Sequence, residues 1–193
     1  MQITAAPGKN NVITIHGILF EDGTGTIHVY EDGDSLTGEL ANKDIQIPQD
    51  ANVWRVAVWA GDGNDRVYNF TELRPVLHGG PGNDYLYSGG TADWMAGEDG
   101  DDRLDSRSNN DRLWGGPGSD VIEGGYGDDE IYGSDGNPNS PDESDTFFGG
   151  PGDDLMFGGL GGDVLDGGSE SDQAYGQAGN DTCPNSEVKD SCD

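Results

Sequence analysis

The sequence is short of positive charge. Nine Lys and Arg face 38 Asp and Glu, leaving a formal charge of -29. So few cations exclude the counterion-displacing contacts that hold nucleic acid, and so much negative charge opposes binding to anionic membrane surfaces. Large apolar side chains are also scarce: the hydrophobic residues make up 32% of the chain. Ordinary domains, with glycine counted, reach about 45–50%. A chain this charged and this poor in core material does not fold unaided, but a cationic partner changes the balance. No apolar run approaches the roughly 18 residues of a membrane span. Residues 1–9 lack the apolar stretch of a signal peptide. The histidines His16, His28 and His78 share no ligand spacing, which serves transition metals poorly. H-E-x-x-H, G-x-S-x-G and Walker A patterns are all missing, so a non-enzymatic chain is expected. The two cysteines, Cys183 and Cys192, fall late in the chain. Such a pair suits a disulfide and an oxidising compartment; the alternative is two buried thiols.

What is abundant is glycine, 34 of 193 residues, and it is periodic. From Gly79 to Tyr132 the sequence divides into nine-residue blocks: GGPGNDYLY, SGGTADWMA, GEDGDDRLD, SRSNNDRLW, GGPGSDVIE and GGYGDDEIY. Asp holds the sixth place throughout, at Asp84, Asp93, Asp102, Asp111, Asp120 and Asp129. Two places on stands an apolar residue: Leu86, Met95, Leu104, Leu113, Ile122, Ile131. Seven extra residues within an insertion at about 133–141 interrupt the register. It resumes at Asp145, Asp154, Asp163, Asp172 and Asp181, and an upstream block supplies Asp65. Glycine at the first, second and fourth places permits positive φ and close backbone approach, while x-apolar-x makes a minimal strand with one inward side chain. One block cannot bury anything alone, whereas stacked blocks bury a continuous apolar ladder.

These blocks resemble the RTX calcium-binding nonapeptide family, G-G-x-G-x-D-x-U-x with U large and apolar. The resemblance covers about Ala60 to Pro184. It implies an all-β fold, a right-handed parallel β-roll with two blocks per turn, so that spatial neighbours lie 18 residues apart. It also implies Ca²⁺ between stacked turns, roughly 5–9 ions in all, held by sixth-place carboxylates and turn carbonyls. The ligands so implied are Asp65, Asp84, Asp93, Asp102, Asp120, Asp129, Asp145, Asp154, Asp163, Asp172 and Asp181, within turns that open on Gly79, Gly97, Gly115, Gly124, Gly149 and Gly158. Calcium chemistry agrees independently, since Ca²⁺ takes six to eight oxygen ligands and glycine turns expose carbonyls beside a carboxylate.

Alternation sorts the blocks onto two edges. The first carries the turns ending at Asp84, Asp102, Asp120, Asp145, Asp163 and Asp181; the second carries those ending at Asp93, Asp111, Asp129, Asp154, Asp172 and Asp190. The second edge loses its fourth-place glycine at Thr91, Asn109, Glu170 and Val188, so weak or empty sites are expected around Ser106–Asp111.

Three regions follow: a β-rich leader over 1–59, the roll over 60–182 and a cap over 183–193. In the leader, Val12–Ile15, Thr26–Tyr30 and Val53–Trp59 alternate like strands, with turns at Gly23–Gly25, Asp32–Asp34 and Ile47–Gln49. In a β-roll Cys183 and Cys192 occupy facing apolar places, where a disulfide staples the last turn and contributes roughly 2–3 kcal/mol. The ninth places of one sheet carry Trp114, Tyr132, Phe157 and Tyr175, with Ala96 before them, forming an outward aromatic stripe. That stripe reads first as a self-stacking ladder and second as a platform for a polysaccharide, cell surface or protein partner. The leading expectation is a secreted bacterial protein that folds when extracellular calcium binds. An adhesion module is the alternative, and ice binding a minor one because the third and fifth turn places vary (Pro81, Asp99, Ser108; Asn83, Ala92, Asp101).

Overall fold

A three-residue strand offers one side chain to an interior, so it is stable only as a rung between other rungs. That is how the chain is arranged. The structure is a computed structural model and describes residues 2–4, 12–19, 25–31, 43–47, 55–134 and 144–192. Its first strands are β1 (Gln2–Thr4), β2 (Val12–Leu19), β3 (Gly25–Glu31), β4 (Lys43–Ile47), β5 (Arg55–Trp59) and β6 (Arg66–Phe70). Next come β7 (Arg74–His78), β8 (Tyr85–Ser88), β9 (Trp94–Ala96), β10 (Arg103–Asp105), β11 (Arg112–Trp114) and β12 (Val121–Glu123). The last are β13 (Glu130–Tyr132), β14 (Thr146–Pro151), β15 (Leu155–Leu160), β16 (Val164–Ser169), β17 (Gln173–Ala178) and β18 (Val188–Asp190).

Successive strands alternate between two sheets. Sheet I runs β1-β5-β7-β9-β11-β13-β15-β17-β18, and sheet II runs β16-β14-β12-β10-β8-β6-β2-β3-β4. Pairing is parallel except at β2-β3-β4, where the chain folds back antiparallel and continues sheet II beyond β2. The result is a parallel β-roll of about 7 turns. No helix among the described residues is long and apolar enough to cross a membrane. Most of the turns expected at 23–25 and 47–49, where Gly25 opens β3 and Ile47 closes β4, all of that at 32–34, the residues Val53 and Trp54, and most of the insertion at 133–141 lie outside the described residues.

The register follows the block length. Leu86, Leu104 and Ile122 are Cα partners in sheet II, each 18 residues from the next. Across the insertion the offset is 25, both at Ile122↔Phe147 and at Ile131↔Met156, as seven added residues require. The eighth-place residues are fully buried in two rows: Val67, Leu86, Leu104, Ile122, Phe147 and Leu165 on one side, and Leu77, Met95, Leu113, Ile131, Met156 and Ala174 on the other. Ile13 and Ile15 on β2 and Val56 and Val58 on β5 extend these rows. The core is thus two side chains wide, and each rung depends on its neighbours.

A cavity in so thin a core has little room to collapse. Ile122→Ala is expected to destabilise the calcium-loaded protein by about 2–5 kcal/mol, read as a lower midpoint in denaturant unfolding.

Candidate metal centre

The turns that join the sheets stack as regularly as the strands, because their backbones bond to one another. Gly63 N–H donates to the Pro81 carbonyl at 2.8 Å, Gly82 N–H to Asp99 at 2.7 Å and Gly100 N–H to Pro117 at 2.8 Å. At the end of each turn the sixth-place Asp points inward. From Asp84 and Asp111 onward its Oδ1 accepts the backbone N–H of the sixth-place Asp one turn earlier. On the first edge Asp65, Asp84 and Asp102 donate in this way to Asp84, Asp102 and Asp120, each at 2.7 Å. Asp120, Asp145 and Asp163 continue to Asp145, Asp163 and Asp181 at 2.8–2.9 Å. On the second edge Asp93, Asp111, Asp129 and Asp154 donate to Asp111, Asp129, Asp154 and Asp172 at 2.7–2.9 Å. The expected assignment to two edges is therefore the spatial one, and Asp111 stands in the row with the rest.

The other carboxylate oxygen decides what these rows can do. Oδ2 of Asp84, Asp93, Asp102, Asp111, Asp129, Asp154, Asp172 and Asp181 is buried and accepts no hydrogen bond. Over six of these oxygens lies a first-place glycine; Asp93 and Asp111 stand beside Ser88 and Ser106 instead. A Cβ on Gly79 would run into Asp84 Oδ2 and sit 2.7 Å from the Gly97 carbonyl oxygen. One on Gly97 would meet Asp102 Oδ2 and lie 2.7 Å from the Gly115 carbonyl, and Gly149 repeats this with Asp154 and Gly167. Gly115, Gly124 and Gly158 likewise abut Oδ2 of Asp120, Asp129 and Asp163. Gly133, Gly167 and Gly176 hold the same position against Asp145, Asp172 and Asp181 and complete the set. Each of these glycine turns thus brings a carboxylate oxygen close against a residue without a Cβ and, on most turns, beside a carbonyl of the next.

Among the described residues no three His, Cys, Asp or Glu side chains converge. The donors are single carboxylates from successive turns supplemented by backbone carbonyls. That all-oxygen set suits a hard cation, Ca²⁺ above all, and not zinc or copper. A buried carboxylate with nothing to bind resists ionisation. Burial pushes Asp84 from 3.8 up to about 7, Asp102 to about 9, Asp129 to about 7 and Asp154 to about 6, against the lowering effect of the backbone N–H each accepts. Carboxylates above and below in the row add to the rise.

Sequence comparison agrees with this geometry. The family model for the RTX calcium-binding nonapeptide repeat matches in four copies, over residues 76–104, 105–138, 142–165 and 157–183. The chain belongs to the RTX repeat family. No curated protein matches it. RTX repeats mark a calcium-binding β-roll, and the cradles just described are where this chain places its oxygens.

Several features of this RTX roll escape the nonapeptide pattern. Fifth-place side chains form an outer ladder: Asn64 Oδ1 accepts from Asn83 N–H at 3.1 Å, and Asp101 Oδ1 from Ser119 N–H at 3.1 Å. Asp128 and Asp153 do the same for Asp153 and Ser171 at 3.1 and 3.0 Å. At the C-terminal end the expected register fails. Asp190 does not take the sixth place of the last second-edge turn. The Cα partner of Ala174 is Lys189, 15 residues on, and Glu187 Oε2 accepts the Asp172 N–H at 2.6 Å. The longer Glu side chain reaches the row from a block three residues short. Cys192 accordingly leaves the apolar place opposite Ala174. It packs against the core from the side with its sulfur at bonding distance from that of Cys183, the Cα atoms 5.8 Å apart.

The aromatic stripe is longer than the ninth places suggest. Trp94, beside the buried Ala96, joins Trp114, Tyr132, Phe157 and Tyr175 to His78 and Trp59. Ring centroids from Trp114 to Tyr175 are 5.1–5.3 Å apart, with interplanar angles of 7–13°. Tyr132 and Phe157 therefore have a stacked neighbour on each side. This is the geometry of a stiffening ladder; a sugar platform needs open ring faces.

The raised carboxyl values set a pH dependence for the calcium-free roll. Groups whose folded values lie above 3.8 stabilise the fold fully in acid and cease to do so as pH rises through those values. In chelator, β structure is expected to persist at pH 4 and to be lost between about 6 and 9. Circular dichroism across that range checks the direction.

Proposed function

We propose that the chain is a secreted bacterial module whose folding is gated by calcium and which performs no catalysis itself. The observation that carries this reading is the buried, unbonded Oδ2 set in rows over glycine cradles. At neutral pH and without calcium, the formal charge of -29 opposes compaction, and the core is too thin to overcome it. Ca²⁺ in the cradles would replace protons on the carboxylates, cancel charge and tie adjacent turns together. Asp84, Asp102, Asp120, Asp145, Asp163 and Asp181 would hold ions on the first edge, and Asp129, Asp154 and Asp172 on the second.

Linkage supplies the drive. A site present only in the fold contributes about 2.7 kcal/mol when the ligand stands at 100 times its dissociation constant. Several such sites, each favouring its neighbour, suffice to move a marginal chain from open to closed. Extracellular calcium near millimolar concentration meets that condition and scarce cytoplasmic calcium does not. An oxidising exterior also suits the Cys183–Cys192 pair.

The test is a calcium titration of the chelated protein at pH 7.5, followed by far-UV circular dichroism. A steep coil-to-β transition with calcium, and none with magnesium at equal concentration, is expected, because Mg²⁺ demands tight octahedral geometry and keeps its waters. A chain already fully β-rich in chelator at that pH would overturn the gating. Asp129→Asn, which removes one charge from the second-edge row, is expected to shift the midpoint several-fold toward higher calcium.

A further inference from the structure

On the second edge the later turns open on glycine, at Gly124, Gly149 and Gly167, while the earlier ones open on Asn69, Ser88 and Ser106. These three polar side chains are fully buried, with no exposed surface. They lie where a first-place glycine leaves its cradle open. Ser106 Oγ donates to the Gly124 carbonyl at 2.8 Å and stands against the Asp111 carboxylate. The Ser88 hydroxyl stands against Asp93 and accepts the Asn69 amide N–H at 3.1 Å. Asn69 Oδ1 in turn accepts the Thr71 hydroxyl at 2.8 Å. The row even corrects for a missing donor. Val76 pairs with Trp94, which puts Pro75, without an N–H, one turn before Asp93. There the Thr91 hydroxyl donates to Asp93 Oδ1 instead, at 2.8 Å.

The distribution of fixed charge points the same way. Six arginines lie between residues 55 and 112, and no Lys or Arg occurs from 113 to 188. Arg103 and Arg112 pair with Glu123 and Glu130 at 2.6 and 2.9 Å, on the strands flanking the serine turns. On the second edge the turns filled by side chains fall where the chain carries its own cations, and the glycine turns fall where it carries none.

We propose that Asn69, Ser88 and Ser106 are internal substitutes for the ion. On the second edge the turns as far as 106–111 take no calcium, and binding begins at the Gly124 turn. The hydroxyl gives to the Gly124 carbonyl the favourable contact that a cation gives in the glycine cradles, without adding charge. The roll is then loaded unevenly, with ions on one edge only in its early turns and on both edges later. This inference rests on the calcium reading above.

The test counts ions on the full-length oxidised protein at saturating calcium, by isothermal titration calorimetry and by metal analysis after dialysis. Ser106→Gly opens the cradle beside Asp111 and is expected to bind one more calcium per chain than the wild type. Ser106→Ala keeps the space filled and is expected to hold the wild-type number. An unchanged count in a Ser106→Gly protein with wild-type circular dichroism overturns the proposal. Crystals of the wild type grown with terbium give a reading that needs no variant. Anomalous density is expected between the Gly124 and Gly149 turns and not between the Ser88 and Ser106 turns; density at the serine turns overturns the proposal. Failure of the calcium reading itself looks different, as a wild type that binds no calcium at all.

Discussion

Sixth-place aspartates such as Asp84, Asp102, Asp129 and Asp154 are fixed by one oxygen and left unbonded at the other, and the rest of the molecule depends on that asymmetry. The backbone N–H to Oδ1 bonds, 2.7–2.9 Å long on both edges, orient the carboxylates identically from turn to turn. That orientation sets Oδ2 against the first-place glycine in turn after turn, where a Cβ would collide with it. Glycine at the first place thus answers to the carboxylate. Glycine at the fourth answers to the backbone, which runs there at φ 141° in Gly82 and 128° in Gly127. Asn109 takes the same place at φ 79°, a conformation that Asn tolerates better than most residues. The loss of that glycine therefore costs the turn little. The change that matters to the site is the serine three residues earlier.

The apolar rows and the carboxylate rows are complementary rather than additive. A core two side chains wide removes little surface from water per residue, so it cannot carry the desolvation of a dozen carboxyl groups by itself. Protonation relieves that desolvation in acid, and on the proposed reading a divalent cation would relieve it at neutral pH while also joining two turns. Both would act on the same oxygens, so proton and calcium would compete and calcium affinity would rise as the rows deprotonate. The arginine-rich early turns and the arginine-free later ones describe a gradient of fixed charge along the roll.

Much of this was legible in the sequence because a β-roll writes its geometry as a period. Alternation of side chains fixes the inward place within each three-residue strand, and two blocks per turn convert a nine-residue repeat into the 18-residue register between Leu86, Leu104 and Ile122. The seven-residue insertion was visible as a break and returns as the 25-residue offset at Phe147. What stayed hidden breaks the period without breaking the geometry. Glu187 serves for a sixth-place Asp from the wrong position, because its side chain is one methylene longer. Trp94 joins the aromatic ladder from a seventh place because Ala96 leaves a gap beside it. Antiparallel β3 and β4 carry no turn motif at all. The signal of the serine turns is present as well, since Ser88 and Ser106 stand in line with Gly124 and Gly149, but it lies at the first place of the block and not at the fourth, where the glycines are lost.

Both the aromatic ladder and the ion cradles take their spacing from the same source. Peptide hydrogen bonds hold neighbouring strands about 4.8 Å apart, which is close to the 5.1 Å between the rings of Tyr132, Phe157 and Tyr175. Rings stacked at that distance resist shear between strands, and shear would move one Asp row out of line with the carbonyls of the next turn. The ladder sits on sheet I, whose strands enter from the second edge and leave toward the first, so it steadies both sets of cradles. In a one-dimensional stack each rung answers only to its neighbours. Stiffness along the axis would let an ion bound at one turn shape the site at the next, and it is the most direct physical role for a ladder of seven rings, stacked face to face from Trp114 to Tyr175.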